Sequence, residues 1–154
     1  MILWSLLVLV IIALDQLAKY WVVENIGITD AFKIIPGIID FVYVKNRGGA
    51  FSFLSQKTYG IIFLSIVSLL FCVAVIFFII KKKPKSKLLL VSLGCMLGGA
   101  VGNVIDRIFR GFVVDFIETK FISFPVFNIA DIAIVTGAIL MILYVLFFDK
   151  EKNN

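Results

Sequence analysis

The sequence predicts a mainly α-helical membrane protein, with four transmembrane helices and a small extracytoplasmic β-hairpin or β-cradle after the first. Three observations lead there. Of the 154 residues, 62% are hydrophobic and only 16% charged, and the mean hydropathy is +1.11; a soluble domain of this size carries about a quarter of its residues as charges. Four stretches approach the length of about 20 apolar residues that a helix needs to cross the hydrocarbon core. Between the first two lies a segment with strand rather than helix character.

The chain reads as one integral-membrane domain over residues 1–154. The first span is expected from Ile2 to Val23. A cleavable signal peptide is the alternative, but a basic n-region is missing, and Asp15, Gln16 and Lys19 stand where a small-residue cleavage site would fall. The extracytoplasmic β segment, about 26–57, contains two runs rich in β-branched and aromatic residues, Ala31 to Ile35 and Ile38 to Lys45, separated by the turn signal Pro36-Gly37. These form a hairpin, extended into a short sheet on the membrane surface.

The second span, Tyr59 to Ile80, has no charged side chain between Lys57 and Lys81. The third, Leu88 to Val104, carries Gly94, Gly98 and Gly102 every four residues with Gly99 alongside, a small-residue ridge on which another helix packs closely. The fourth runs from Ile129 to Phe148, and Asp149 to Asn154 is a solvated tail. Cys72 and Cys95 fall inside spans and read as small buried hydrophobes rather than disulfide or metal partners.

Lys81, Lys82, Lys83, Lys85 and Lys87 crowd the turn between spans two and three, and a dense, short basic loop stays cytoplasmic. Lys33, Lys45, Arg47 and Lys57 in the first inter-span segment are spread over a longer stretch. Both termini are therefore placed inside, which gathers nearly every unusual polar residue on the opposite, extracytoplasmic side. The +5 net charge does not indicate nucleic acid, because its basic residues cluster on a short loop facing away from the other polar groups.

The chain has no histidine, which excludes serine–histidine and cysteine–histidine hydrolysis and a histidine-ligated metal. Carboxylates are left to carry hydrolytic chemistry. Asp115 sits between Val113-Val114 and Phe116-Ile117, apolar neighbours that raise a carboxyl pKa by desolvation. Asp131 stands three residues after Asn128, where an N-cap and a helix dipole also account for the pair. Asp15 and Lys19 are spaced i, i+4 and could ease a helix end into the headgroups, although ionisable groups within spans more often face the bundle interior. Asn46-Arg47-Gly48-Gly49 is either a plain glycine turn or a close-approach loop. Asn103, Asp106 and Arg107 share one helix face and suggest an internal hydrogen-bonded network.

Five motifs occur in order: Asp-Gln-x-x-Lys (Asp15 to Lys19), Asn-Arg-Gly-Gly-Ala-Phe (Asn46 to Phe51), Gly-Asn-x-x-Asp-Arg (Gly102 to Arg107), Val-Val-Asp-Phe (Val113 to Phe116) and Phe-Asn-x-Ala-Asp (Phe127 to Asp131). Together they resemble the motif set of the bacterial lipoprotein signal peptidases (signal peptidase II), aspartic peptidases of the inner membrane. No motif position departs from that set, although the stretch between Asp115 and Asp131 is short. The resemblance implies four helices with a β-cradle on the periplasmic side. It also implies cleavage of prolipoproteins just before a cysteine that already carries diacylglycerol. It makes Asp115 and Asp131 the catalytic dyad. Asp15, Lys19, Asn46, Gly48, Asn103, Asp106, Arg107 and Asn128 become the substrate-binding or supporting residues. The expected partners are diacylglyceryl-prolipoprotein substrates and membrane lipids, with the chain acting as a monomer and without cofactor or metal.

Two close carboxylates share a proton, so that one activates water while the other protonates the scissile carbonyl oxygen. Asp106 with Asp131 is a competing dyad, disfavoured because Asp106 beside Arg107 suits an ion pair. The rival from another class is a small proton-coupled transporter relaying through Asp15, Lys19 and Asp131. A relay needs stations across the bilayer, and spans two and three have no charge at mid-depth.

Overall fold

Among the described residues, four helices are long and apolar enough to cross a membrane, and how tightly each packs follows from its side-chain sizes. The structure is a computed structural model and describes residues 2–48 and 59–148. In chain order the elements are α1 (Ile2–Asn25), β1 (Ala31–Ile35), β2 (Ile39–Asn46), α2 (Gly60–Lys82), α3 (Lys87–Arg110), β3 (Val113–Thr119) and α4 (Ile129–Phe147). Residues 49–57 of the expected β segment, including the Gly49-to-Phe51 end of one motif, lie outside the described residues, as does the tail from 149 to 154.

The central helix is α3, which packs against α1, α2 and α4. Its glycines make that possible, because helices in lipid associate through close packing rather than hydrophobic exclusion of water. A Cβ at Gly94 would meet the Trp4 indole, one at Gly98 would meet Ile11, and one at Gly102 would meet the Asp15 carboxylate. The expected ridge therefore seats α1. Gly99 faces the other way, and a Cβ there would land on the Ala130 carbonyl oxygen of α4. Gly137 of α4 returns the contact against Ser92 and Met96, and Ser92 Oγ donates to the Gly137 carbonyl at 2.9 Å. In contrast, α2 and α4 expose long rows of Ile, Leu, Phe and Val, as lipid-facing helices do. Val8, Val75, Ile79, Leu93 and Leu97 form the apolar core between α1, α2 and α3. Cys72 is buried in that core and Cys95 elsewhere on α3, both as free thiols.

The sheet caps one end of the bundle in the antiparallel order β1-β2-β3. Its hairpin turns where Pro36-Gly37 indicated. The Ile38 N–H donates to the Ile35 carbonyl at 2.9 Å, and Gly37 at φ 76° takes the left-handed position of a type II turn. The third strand, β3, extends the expected hairpin. Its residues Val113 to Phe116 are all buried, so it lacks the one-sided alternation that marks a half-exposed strand. Val114 and Phe116 pack with Val22 and Ile26 from the end of α1, locking the sheet onto the bundle.

Helix α3 continues to Arg110, beyond the Val104 at which hydropathy ends the span, and stops at Gly111, whose φ of 73° makes a left-handed cap. The additional turn and a half is stable because its polar side chains find partners within the protein: Asp106 with Lys19 and Arg110, and Arg107 with Ser68. Gly99→Ala is expected to lower stability by about 1–3 kcal/mol through overpacking against the α4 backbone. Thermal unfolding in detergent measures this, and an unchanged midpoint would mean that α3 and α4 are not in backbone contact at Gly99.

Candidate active site

The polar end of the bundle is organised around Lys19 of α1, whose side chain is completely buried. An ammonium has three donors and no acceptor, and here each donor has a partner. These are Asp15 Oδ2 at 2.9 Å, Asp106 Oδ2 at 3.1 Å and Asn103 Oδ1 at 2.9 Å. The i, i+4 pair of Asp15 and Lys19 thus faces the bundle interior and does not ease a helix end into headgroups. Asp15 Oδ1 in turn accepts the Ala130 N–H at 2.9 Å, which ties α1 to the first turn of α4. Asp106 Oδ2 accepts the Val114 N–H at 2.9 Å, which ties α3 to β3 beside Asp115. The remaining Asp106 oxygen takes Arg110 Nε at 3.3 Å, so its ion pairs are with Lys19 and Arg110, not with the adjacent Arg107.

Asp115 projects from β3, with Asn46 Nδ2 donating to its Oδ2 at 2.8 Å and Asn128 Nδ2 to its Oδ1 at 2.7 Å. Asp131 lies in the first turn of α4. Asn103 Nδ2 donates to its Oδ1 at 2.8 Å, and the Asn128 N–H donates to its Oδ2 at 3.2 Å. Asn128 is the N-cap, and its own Oδ1 accepts the Asp131 N–H at 2.9 Å, completing a reciprocal capping box. The capping role of Asp131 is therefore real, and the same carboxyl also faces a cleft.

Each of the three asparagine amides is held in one polarity by a donor on its oxygen. Lys19 acts on Asn103, the Gly48 N–H on Asn46 at 2.9 Å, and the Asp131 N–H on Asn128. Every NH2 group is thereby turned toward Asp115 or Asp131. Burial, the largest influence, pushes the Asp115 carboxyl up to about 6. The Asn46 hydrogen bond acts against burial, the Asp131 charge adds to it, and Asn128 and Lys19 favour ionisation.

Asp115 and Asp131 line one cleft of about 790 Å³, together with Asn46, Arg47, Asn103 and Arg107. Apart from Lys45 and Thr136, the rest of its wall is apolar, chiefly Phe124 to Phe127 from the β3–α4 connection, then Ile132, Ile134 and Val135 down α4. Ile132 and Val135 are half-exposed on the outside of the bundle, so the cleft is polar at one end and open to lipid along the other. Arg107 Nη1 donates to Ser68 Oγ of α2 at 3.3 Å. Asp15, Lys19, Asp106, Gly48 and Asn128 stand behind the cleft wall rather than in it. Asp106 has both oxygens engaged away from the cleft, which speaks against it as a partner for Asp131. Arg110 and Ser68 were not singled out from the sequence. Arg110 is legible as the i+4 partner of Asp106, whereas a serine in an apolar span gives no such signal.

Fold and site together define a multi-pass membrane protein with two carboxylates facing one cleft at the end of its bundle. The chain belongs to the signal peptidase II family, whose model, described as "Signal peptidase (SPase) II", matches residues 7–147. A lipoprotein signal peptidase of Streptococcus thermophilus is 40% identical over 96% of this chain and 92% of its own length. One from Enterococcus faecalis is 35% identical over 100% of this chain and 94% of its own. A solved bacterial membrane enzyme superposes with a TM-score of 0.88 at 33% identity, covering 98% of this chain and 91% of the other.

Replacing Asn46 by Leu removes the hydrogen bond that favours ionised Asp115 while leaving burial in place. Asp115 is expected to titrate near pH 6 in the wild type and at higher pH in Asn46→Leu. Infrared difference titration against Asp115→Asn reads both values, and a midpoint that moves down on removing Asn46 would contradict the arrangement.

Proposed function

We propose that this chain is a membrane aspartic endopeptidase that removes the signal peptide from diacylglyceryl-modified prolipoproteins, cutting just before the lipidated cysteine. Family membership supports the peptidase class. The observation that carries the substrate is the cleft's two-part wall, with carboxylates at one end and an apolar face of α4, open to lipid, along the other. A peptide bond can reach Asp115 and Asp131 while acyl chains attached next to it stay in the hydrocarbon. The peptide lies extended beside the end of β2, where Arg107 and Asn103 supply donors to its carbonyls.

The chemistry follows from two carboxyls that cannot both ionise easily at close range. The ionised member takes a proton from water, whose oxygen attacks the scissile carbonyl carbon. The neutral member gives its proton to the carbonyl oxygen as charge develops there. Collapse of the tetrahedral intermediate breaks the C–N bond, and the leaving amine receives a proton from the pair. No covalent intermediate is needed. The lysine-rich turn between α2 and α3 supports a reading with both termini in the cytoplasm and the sheet with its cleft outside, in the cell membrane of a bacterium, and we take the chain to act as a monomer.

Purified protein is expected to cut a diacylglyceryl-modified prolipoprotein before the lipidated cysteine. Folded Asp115→Asn and Asp131→Asn are expected to lose at least a thousandfold in rate, about 4 kcal/mol of transition-state stabilisation. The unlipidated precursor should be cut far more slowly; equal rates on both precursors would remove the role of the lipid-facing wall, and full activity in either variant would remove the dyad.

A further inference from the structure

We propose that Lys19 is a positioning residue for this reaction, acting through Asn103 on Asp131. The inference rests on the peptidase reading and extends it to a group that never reaches the cleft.

An asparagine amide has two orientations of nearly the same shape and opposite polarity. In one, Asn103 presents its NH2 to Asp131; in the other, it presents its oxygen. Lys19 selects between them because an ammonium only donates. With Lys19 Nζ 2.9 Å from Asn103 Oδ1, the flipped amide would set NH2 against NH3⁺ on one side and oxygen against the Asp131 carboxylate on the other. Both contacts would be repulsive. The orientation observed makes both attractive, and the donated hydrogen bond at 2.8 Å holds Asp131 toward the cleft in a form able to accept a proton from water.

The other donor to Asn103 Oδ1 does not replace the ammonium. Asn128 Nδ2 lies 3.2 Å from it, is neutral, and has two further acceptors, Asp115 Oδ1 at 2.7 Å and the Val114 carbonyl at 3.4 Å. An NH2 group with two hydrogens favours the carboxylate. Without Lys19, the Asn103 amide is therefore only weakly held, and in the flipped state its oxygen would favour a protonated Asp131. Lys19 is itself fixed by Asp15 and Asp106, on its own helix and on α3. The amide's polarity is set from two directions by groups that no substrate touches.

Lys19→Met alone would leave two buried carboxylates facing each other, so a loss of fold would be expected whatever its role. The informative variant is the charge-balanced Lys19→Met/Asp15→Asn. In it, Oδ1 of residue 15 can still accept the Ala130 N–H. The reference is Asp15→Asn, which keeps the ammonium beside Asn103 and Asp106. It leaves one oxygen at residue 15 to serve either Lys19 or the Ala130 N–H, and so carries the same cost at position 15 into the comparison. Both are assayed on the lipidated prolipoprotein beside the wild type. The expected result is a folded double variant whose kcat is at least about tenfold below that of Asp15→Asn, with KM within about twofold. Equal kcat in the two would overturn the proposal, as would a drop that appears in KM alone. A double variant that does not fold would overturn it too, since the ammonium would then be needed for the bundle and not for one amide's polarity. Failure of the wild type to cleave would instead count against the peptidase reading itself.

Discussion

A lysine side chain with no exposed surface, in the end of a membrane-spanning helix, is the constraint on which this structure turns. Removing an ammonium from water costs several kcal/mol unless its donors are all met by charge-assisted partners. Lys19 meets them with two carboxylates and an amide oxygen drawn from α1 and α3. Those carboxylates each hold one further backbone N–H, Ala130 at the start of α4 and Val114 in β3. Four elements thereby meet around the cation, registered by backbone contacts to Asp15 and Asp106 that do not themselves require the ammonium. Asp115 follows Val114 directly and Asp131 follows Ala130 directly, so the two backbone contacts fix the chain immediately before each cleft carboxylate.

The three asparagines carry that order into the cleft. Asn46 brings β2, Asn103 brings α3, and Asn128 begins α4, each with its oxygen occupied and its NH2 aimed at Asp115 or Asp131. Hydrogen bonds donated to a buried carboxyl favour its ionised form, while burial and a second carboxyl favour the neutral one. For Asp115 the balance falls near 6, close to where proton transfer at ordinary pH is most effective. Glycines at 94, 98, 99 and 102 serve the same end, because only a side-chain-free face lets α1 and α4 approach α3 closely enough for these short contacts.

Much of this was legible in the sequence, for reasons that differ by element. Long apolar runs with few charges marked the spans, Pro36-Gly37 marked the hairpin turn, and Asn128 with Asp131 marked the start of α4. The strand β3 was not legible, because Val113 to Phe116 are buried on both faces and a stretch without alternation between apolar and polar residues has no strand period. The apolar run ends at Val104 while α3 continues to Arg110, since hydropathy sees Asp106 and Arg107 as polar but cannot see that partners on other elements satisfy them. The partners of Asp106 were hidden for the same reason. Adjacency suggested Arg107, whereas helical geometry points Arg107 toward α2 and brings Arg110 and the distant Lys19 to the carboxylate. Amide polarity cannot be read from sequence at all, because it depends on which donor stands opposite each oxygen.

Whether water attacks the peptide bond directly is the most direct test of two carboxylates working as an acid and a base. A single turnover of lipidated prolipoprotein in H₂¹⁸O, with enzyme in excess, reports this through the new carboxylate of the released signal peptide. The account predicts one solvent oxygen in that carboxylate in the first turnover and none in Asp115 or Asp131. Solvent label in either aspartate, with an unlabelled signal peptide, would show that a carboxylate attacks as a nucleophile, and would contradict the account.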